Sequence, residues 1–264
     1  EVQSSQWAAS DGNLTVVRPD GTTFKAPPSK VGVEGELYTR LDPSGAKDRD
    51  IERWFSREIE TPFASALNGI LPVEGIKRIP YPGRGDPAQR KEMQELGFLI
   101  TDYEERLPLA TADYIAFANY LAAAVVRSPA YLAKLTDWHK TNTPEAGPLP
   151  VDPATHRAFA LENMLYLYDV YRDPIASGRI ALMIADCDRE FLFSDGGIVA
   201  QEPWSKRPIP FDLYAPLTPK LALNVIPLPQ AHVDGLWILR LNSQGVARFN
   251  RIMVGMANRF VFAK

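Results

Sequence analysis

The order of apolar and polar residues predicts an opening hairpin, a long helical stretch and a β-rich last third. Leu14-Thr-Val-Val-Arg18 and Thr22-Thr-Phe-Lys25 are β-prone runs joined by Pro19-Asp20-Gly21, where proline presets one torsion and glycine supplies a positive φ. Pro27-Pro28 ends the second run, and Val31 to Thr39 follows as an irregular segment carrying Glu36 and Tyr38. From Asp50 the period turns helical: Ile51, Trp54, Phe55, Ile59, Phe63, Leu67 and Ile70 recur mostly at spacings of three and four, which gathers them on one face. Pro62 either kinks this helix or opens a second one.

A shorter helix over Ala88 to Leu96 ends at Gly97, the residue best suited to a left-handed C-terminal position. Thr111 is placed as the cap of a helix whose stripe is Tyr114, Phe117, Ala118, Leu121, Ala122 and Val125. Ala123 and Ala124 widen the stripe, so this helix is expected at the centre. Ala130 to His139 continues helically, and Asp152-Pro153 opens another helix to Tyr171, interrupted at Asp173-Pro174. The three prolines and one glycine of Thr143 to Pro150 mark the best boundary in the chain.

In the last third, Ile180 to Ala185 and Glu190 to Ser194 read as strands joined at Asp186-Cys-Asp-Arg189, and Ile198 to Ala200 as another. Leu213 to Pro216 and Leu221 to Ile226 form a further pair. Asn242 caps an amphipathic helix with Val246, Phe249, Ile252, Met253 and Met256 inward, and Arg259 to Ala263 is a terminal strand. This order predicts an α+β fold, a helical layer packed on a mixed, mostly antiparallel sheet formed by the N-terminal hairpin and C-terminal strands. One domain over 1–264 is expected, with the helical part at about 48–172 and the β-rich part at 12–26 plus 180–264.

Composition narrows the function classes. Lys plus Arg total 29 against 32 for Asp plus Glu, a net charge of −3, so no broad nucleic-acid-binding face is expected. The longest apolar stretch, Ile115 to Val126, is about 12 residues where a membrane helix needs about 20. The chain opens at Glu1 with neither a basic nor an apolar leader region, which predicts no secretory signal in the sequence as given. Cys187 is the single cysteine and fits a reducing, cytoplasmic setting. It sits between Asp186 and Asp188, where acidic neighbours oppose a reactive thiolate. His139, His156 and His232 lack metal-ligand spacing, so no metal site is assigned and the cofactor is unknown.

The candidate ligand-binding residues are Arg127, Asp195, Glu36 and Asn250. Arg127 ends the central helix, where a fork of five donors suits a carboxylate or phosphate on a ligand or on the protein's own acids. Asp195 ends an apolar strand before Gly196-Gly197. It serves a cleft or, in the commoner use of Asp-Gly, caps the backbone of Gly197 in an Asx-turn. Asn250, with Arg251, adds polar groups to the last helix beside a cleft. No Gly-x-Ser-x-Gly elbow surrounds Ser194, and Gly83-x-Gly85 lacks the Lys-Ser or Lys-Thr of a phosphate cradle.

Gln6-Trp-Ala-Ala-Ser-Asp-Gly12, the hairpin after it, and Val31-Gly-Val-Glu-Gly-Glu-Leu-Tyr38 resemble the opening of the mainly bacterial family called domain of unknown function 4238. Asp50-Ile-Glu52, Phe117 to Val126 with Arg127-Ser-Pro129, Phe191-Leu-Phe-Ser-Asp195, Pro216-Leu-Thr-Pro219 and Leu241-Asn242 follow in that family's order. The resemblance covers essentially the whole chain and departs at Ser194-Asp195-Gly196-Gly197, where many members have Ser-Asp-Asn-Pro. It implies an architecture and no chemistry. The leading expectation is a cytoplasmic bacterial protein that binds a small or phosphorylated ligand in a polar helix–sheet pocket. The alternatives are a protein-interaction sensor or scaffold in a defence or stress setting, and a metal-assisted hydrolase or nuclease using carboxylates. The residues do not decide between binding and catalysis.

Overall fold

The structure, a computed structural model, describes residues 7–31, 40–41, 47–71, 73–80, 87–142, 153–195, 199–200, 213–226, 235–257 and 259–263. The fold is α+β. The strands expected to share one sheet divide between two.

The first sheet is built from both ends of the chain. β1 (Leu14–Val17) and β2 (Thr23–Ala26) form the hairpin, turned by Gly21 at φ 81° and by Asp20, whose Oδ1 accepts from the Thr22 N–H at 2.9 Å. β1 also pairs antiparallel with the C-terminal strand Val261–Ala263, which pairs in turn with Phe193–Ser194. The Trp7 indole donates to the Phe191 carbonyl at 3.1 Å. Trp7, Leu14, Val16, Val31 and Phe262 are the buried residues of this small core. A separate two-stranded pair joins β3 (Arg40–Leu41) and β4 (Lys47–Asp48).

The helical stretch opens with α1 (Asp50–Trp54), passes through a π-helical segment at Phe55–Glu60 and continues as α2 (Thr61–Ile70). Pro62 stands in the first turn of α2, as the second of the two expected arrangements has it, and the backbone stays helical across the junction. The proline lacks an N–H and crowds the carbonyl one turn back, and the wider turn before it, with the Thr61 N–H bonded to the Ser56 carbonyl five residues earlier, relieves that demand. β5 (Lys77–Pro80), α3 (Pro87–Glu95) and β6 (Tyr103–Leu107) follow. α3 ends as expected at Gly97, at φ 91°, with Gly97 N–H on the Gln94 carbonyl and Phe98 N–H on the Met93 carbonyl, a Schellman closure.

α4 (Thr111–Val126) is the central helix, with Phe117, Ala118, Leu121, Ala122 and Val126 fully buried. Its N-terminal flanking residue is Ala110 without a side-chain cap, so Thr111 lies inside the first turn and does not cap it. α5 (Pro129–Asn142) and α6 (Pro153–Ser177) pack beside it. α6 continues past the expected break at Pro174 to Ser177. Ile175 is fully buried, and its packing outweighs the one backbone bond that proline removes in a last turn. The 143–150 linker lies outside the described residues.

The remaining strands are β7 (Arg179–Ala185), β8 (Phe193–Ser194), β9 (Val199–Ala200), β10 (Leu213–Thr218), β11 (Leu221–Ile226), β12 (Leu236–Leu241) and β13 (Val261–Ala263), with α7 (Ser243–Met256) before the last. The larger sheet runs β5-β6-β12-β7-β11-β10-β9, and β12 with β7 is its parallel pair among the described strands. β5, β6 and β12 are additions to the elements expected from the sequence. β7 and β8 fall in different sheets, not in one pair. Strand side chains alternate. Ile180, Leu182, Leu223 and Val225 thus face the helical core, while Met183, Ala222 and Leu241 face Val246, Phe249 and Met253 of α7. A sheet covered on both sides needs central strands apolar on both faces, as in β7.

Candidate functional site

Arg127 sits at the C-terminal end of α4, where a cation offsets the negative end of the helix dipole. Its Nη1 donates to Glu60 Oε1 at 2.6 Å, and its guanidinium lies 4.6 Å from the centre of the Phe55 ring. Phe55 and Glu60 are the first and last residues of the π segment. They are five positions apart, a spacing that π geometry, with bonds from i to i+5, returns to one side of the helix. Tyr120 lies within electrostatic reach of both charges. Burial pushes its phenol far up, with Arg127 opposing and Glu60 reinforcing.

Asp195 terminates β8. Its carboxylate accepts the Arg259 N–H at 2.8 Å while its own N–H donates to the Phe260 carbonyl at 3.1 Å, so it closes the β8–β13 end through a residue 64 positions away. Gly197, the alternative partner, lies outside the described residues, as does Glu36. Arg127 and Asp195 thus have different partners on different elements. Ser194 Oγ is buried with no hydrogen-bond partner among the described residues.

Asn250 brings a cleft into being. From α7 its Oδ1 accepts the Leu192 N–H at 2.8 Å and its Nδ2 donates to the Glu190 carbonyl at 2.8 Å. This fixes the 190–192 segment against the helix. The preceding turn is held by Lys220, whose Nζ donates to the carbonyls of Cys187 at 2.8 Å and Arg189 at 2.9 Å. Between segment and helix lies a cavity of about 420 Å³ lined by Arg189, Leu192, Ala247, Asn250, Arg251 and Val254. The four α7 residues recur at spacings of three, one and three, which is one helical face.

Several arginines are compensated within the fold. Arg78 and Arg240 are paired with Glu105, Arg106 with Glu104, and Arg127 with Glu60. Arg189 and Arg251 have no ion pair among the described residues, and both are exposed. Two guanidiniums without an ion pair among the described residues thus stand beside the apolar side chains of Leu192, Ala247 and Val254. Among the described residues, the six that line the cleft contain no acid, imidazole or thiol. Arg251 and Asn250 are readable as polar members of an amphipathic helix. Arg189 and Lys220 carry no such signal.

A second cavity of about 320 Å³ lies between the end of α2 and the start of α4, with Glu74 and Asp113 in its lining. Among the described residues, no group of three or more His, Cys, Asp or Glu side chains is placed to hold a metal ion. No helix among them is long and apolar enough to cross a membrane.

Fold and cleft together define an α+β protein with an arginine-lined groove between its last helix and the edge of its smaller sheet. The chain belongs to the family described as Protein of unknown function (DUF4238), whose model matches residues 5–264. No curated protein and no solved structure matches the chain.

Proposed function

We propose that this is a cytoplasmic bacterial protein, folded as one unit, that binds a small anionic ligand such as a phosphorylated or carboxylated molecule in the cleft between α7 and residues 189–192. The observation that carries this reading is the pair of guanidiniums, Arg189 and Arg251, that share one 420 Å³ cavity without carboxylate partners among the described residues. Asn250 and Lys220 act as positioning residues. Their hydrogen bonds are spent on backbone carbonyls and an N–H, and they hold Arg189 opposite Arg251.

Thermal unfolding with a panel of phosphate-bearing and carboxylate-bearing ligands, against chloride at equal ionic strength, tests it. A ligand at a hundred times its Kd stabilises the native state by about 2.7 kcal/mol, and the double variant Arg189→Ala/Arg251→Ala loses that gain. A panel in which no anion differs from chloride overturns the proposal.

The second reading, a protein-interaction sensor or scaffold, has its own support. Trp138 of α5 and Tyr166 and Val170 of α6 are large apolar side chains left exposed at 58%, 68% and 48%. Exposed aromatics of this kind are enriched where proteins meet. Sedimentation at micromolar concentration, with Trp138→Ala and Tyr166→Ala compared, tests it: self-association lost in the variants supports the reading, and a monomer with no captured partner counts against it.

A further inference from the structure

Positive charge also gathers in one row across the larger sheet, away from the cleft. Lys77 on β5 lies opposite Arg106 on β6, and Arg106 lies opposite Trp237 on β12. On its other side Trp237 pairs with Ala181 of β7. Arg179, two residues before Ala181, presents to the same face because strand side chains alternate. The row crosses the sheet where β7 and β12 begin, whereas α7 covers Met183 and Leu241 farther along the same strands.

Within the row the indole of Trp237 is flanked by two cations. The Arg179 guanidinium lies 4.2 Å and that of Arg106 5.1 Å from the ring centre, approaching from strands on opposite sides of β12. Cation–π contact steadies these side chains but leaves their charge in place. Arg106 is paired with Glu104. Arg179 has no carboxylate partner among the described residues.

Two donors in this stack also lack acceptors. The Nε of Arg179 and the Nε1 of Trp237 are buried with no hydrogen-bond partner among the described residues. A buried donor left unmet is costly, and such groups in native proteins ordinarily find a partner, a water or an ion. Both side chains remain half-buried, not sealed. With guanidiniums against the ring, Trp237 has its edge N–H to offer and not a free face for a stacking base.

We propose that the Arg179–Trp237 stack is a binding site for a compact oxyanion, a carboxylate or phosphate group, that accepts from Trp237 Nε1 and the Arg179 guanidinium while Lys77 adds charge. The site is independent of the cleft on α7. It recognises its ligand by edge hydrogen bonds and charge.

The test follows the indole N–H resonances of the ¹⁵N-labelled chain during titration with sodium phosphate or sodium acetate at constant ionic strength. The resonance lost in Trp237→Phe identifies the reporter among five tryptophans. It is expected to move saturably with at least one anion, and the anion that moves it distinguishes phosphate from carboxylate. Arg179→Gln weakens binding about tenfold or more, whereas Arg251→Ala leaves it unchanged. If Arg179→Gln does not fold, Arg179→Lys keeps the charge, removes the Nε donor and is expected to weaken binding as well. No saturable shift with either anion, or a shift that the Arg179 variants leave intact, overturns the proposal. Neither result bears on the Arg189–Arg251 cleft.

Discussion

At Asn250 one amide closes two backbone bonds, to Leu192 N–H and Glu190 carbonyl. Asn250→Ala leaves both without that partner and is expected to destabilise the fold by about 1–3 kcal/mol, while weakening anion binding through the displaced Arg189. Asn250→Asp keeps the acceptor and loses the donor, so it falls between. Urea unfolding at constant m-value checks the order. Two glycines make a matched experiment on backbone freedom. Gly21 at φ 81° has open space where a Cβ would go, whereas a Cβ on Gly97 at φ 91° would lie 2.2 Å from the Gly245 nitrogen. Gly21→Ala carries only the torsional cost, about 1 kcal/mol. Gly97→Ala adds a backbone collision at the point where Asn242 Oδ1 caps α7 by accepting from Gln244 and Gly245, so its loss is larger. Equal losses in parallel melts would refute that account.

Among the elements, the α–π–α stretch from Asp50 to Ile70 shows how one proline sets the placement of distant charge. The wide turn before Pro62 leaves Phe55 and Glu60 on one side, and Arg127 spans both. Side-chain exposures of 24% for Arg127 and 40% for Glu60 keep the pair in contact with water, so its energy is well below that of a buried pair. Arg127→Ala is expected to cost about 1–2 kcal/mol from the ion pair and the ring contact together. Arg127→Lys recovers only part of this, because an ammonium does not reproduce the planar stack on Phe55. A double-mutant cycle with Glu60→Gln isolates the ionic share, and a coupling of zero would reduce Arg127 to a packing residue.

At the scale of the whole molecule, what is legible in the chain depends on whether a residue's partner is near it. The helical period from Ile51 to Ile70, the Gly97 stop and the Asn242 cap are local and readable. Tyr103-Glu-Glu-Arg-Leu107 is not readable as a strand, because it looks like a charged loop. Glu104 and Glu105 are nevertheless buried, since Glu105 meets Arg78 from 27 residues before it and Arg240 from 135 after it. The candidate cleft divides the same way. Asn250 and Arg251 announce themselves on an amphipathic helix, while Arg189 is turned into place by Lys220, 31 positions away.

The Glu105 network makes that long-range dependence measurable. Glu105 bridges β5, β6 and β12, and Arg240 reaches on to Asp186 at 3.3 Å. Burial alone raises the Glu105 carboxyl, but hydrogen bonds from Arg240 and then Arg78 outweigh it and hold the group below its ordinary value. A carboxyl lowered in the folded state binds fewer protons there than in the unfolded chain. Its stabilisation is therefore complete above the unfolded value of 4.5 and is lost as pH falls through the lower, folded value. Glu105→Gln is expected to cost about 2 kcal/mol or more at pH 7, and the gap from the parent narrows as the pH is lowered below 4.5. The two arginines contribute unequally: Arg240 is 26% exposed and Arg78 62%, so Arg240→Ala destabilises more than Arg78→Ala. Denaturant unfolding of the three variants at pH 7 and at pH 3 decides it. A Glu105→Gln loss that is the same at both pH values would mean that the carboxylate's charge contributes nothing to joining these strands.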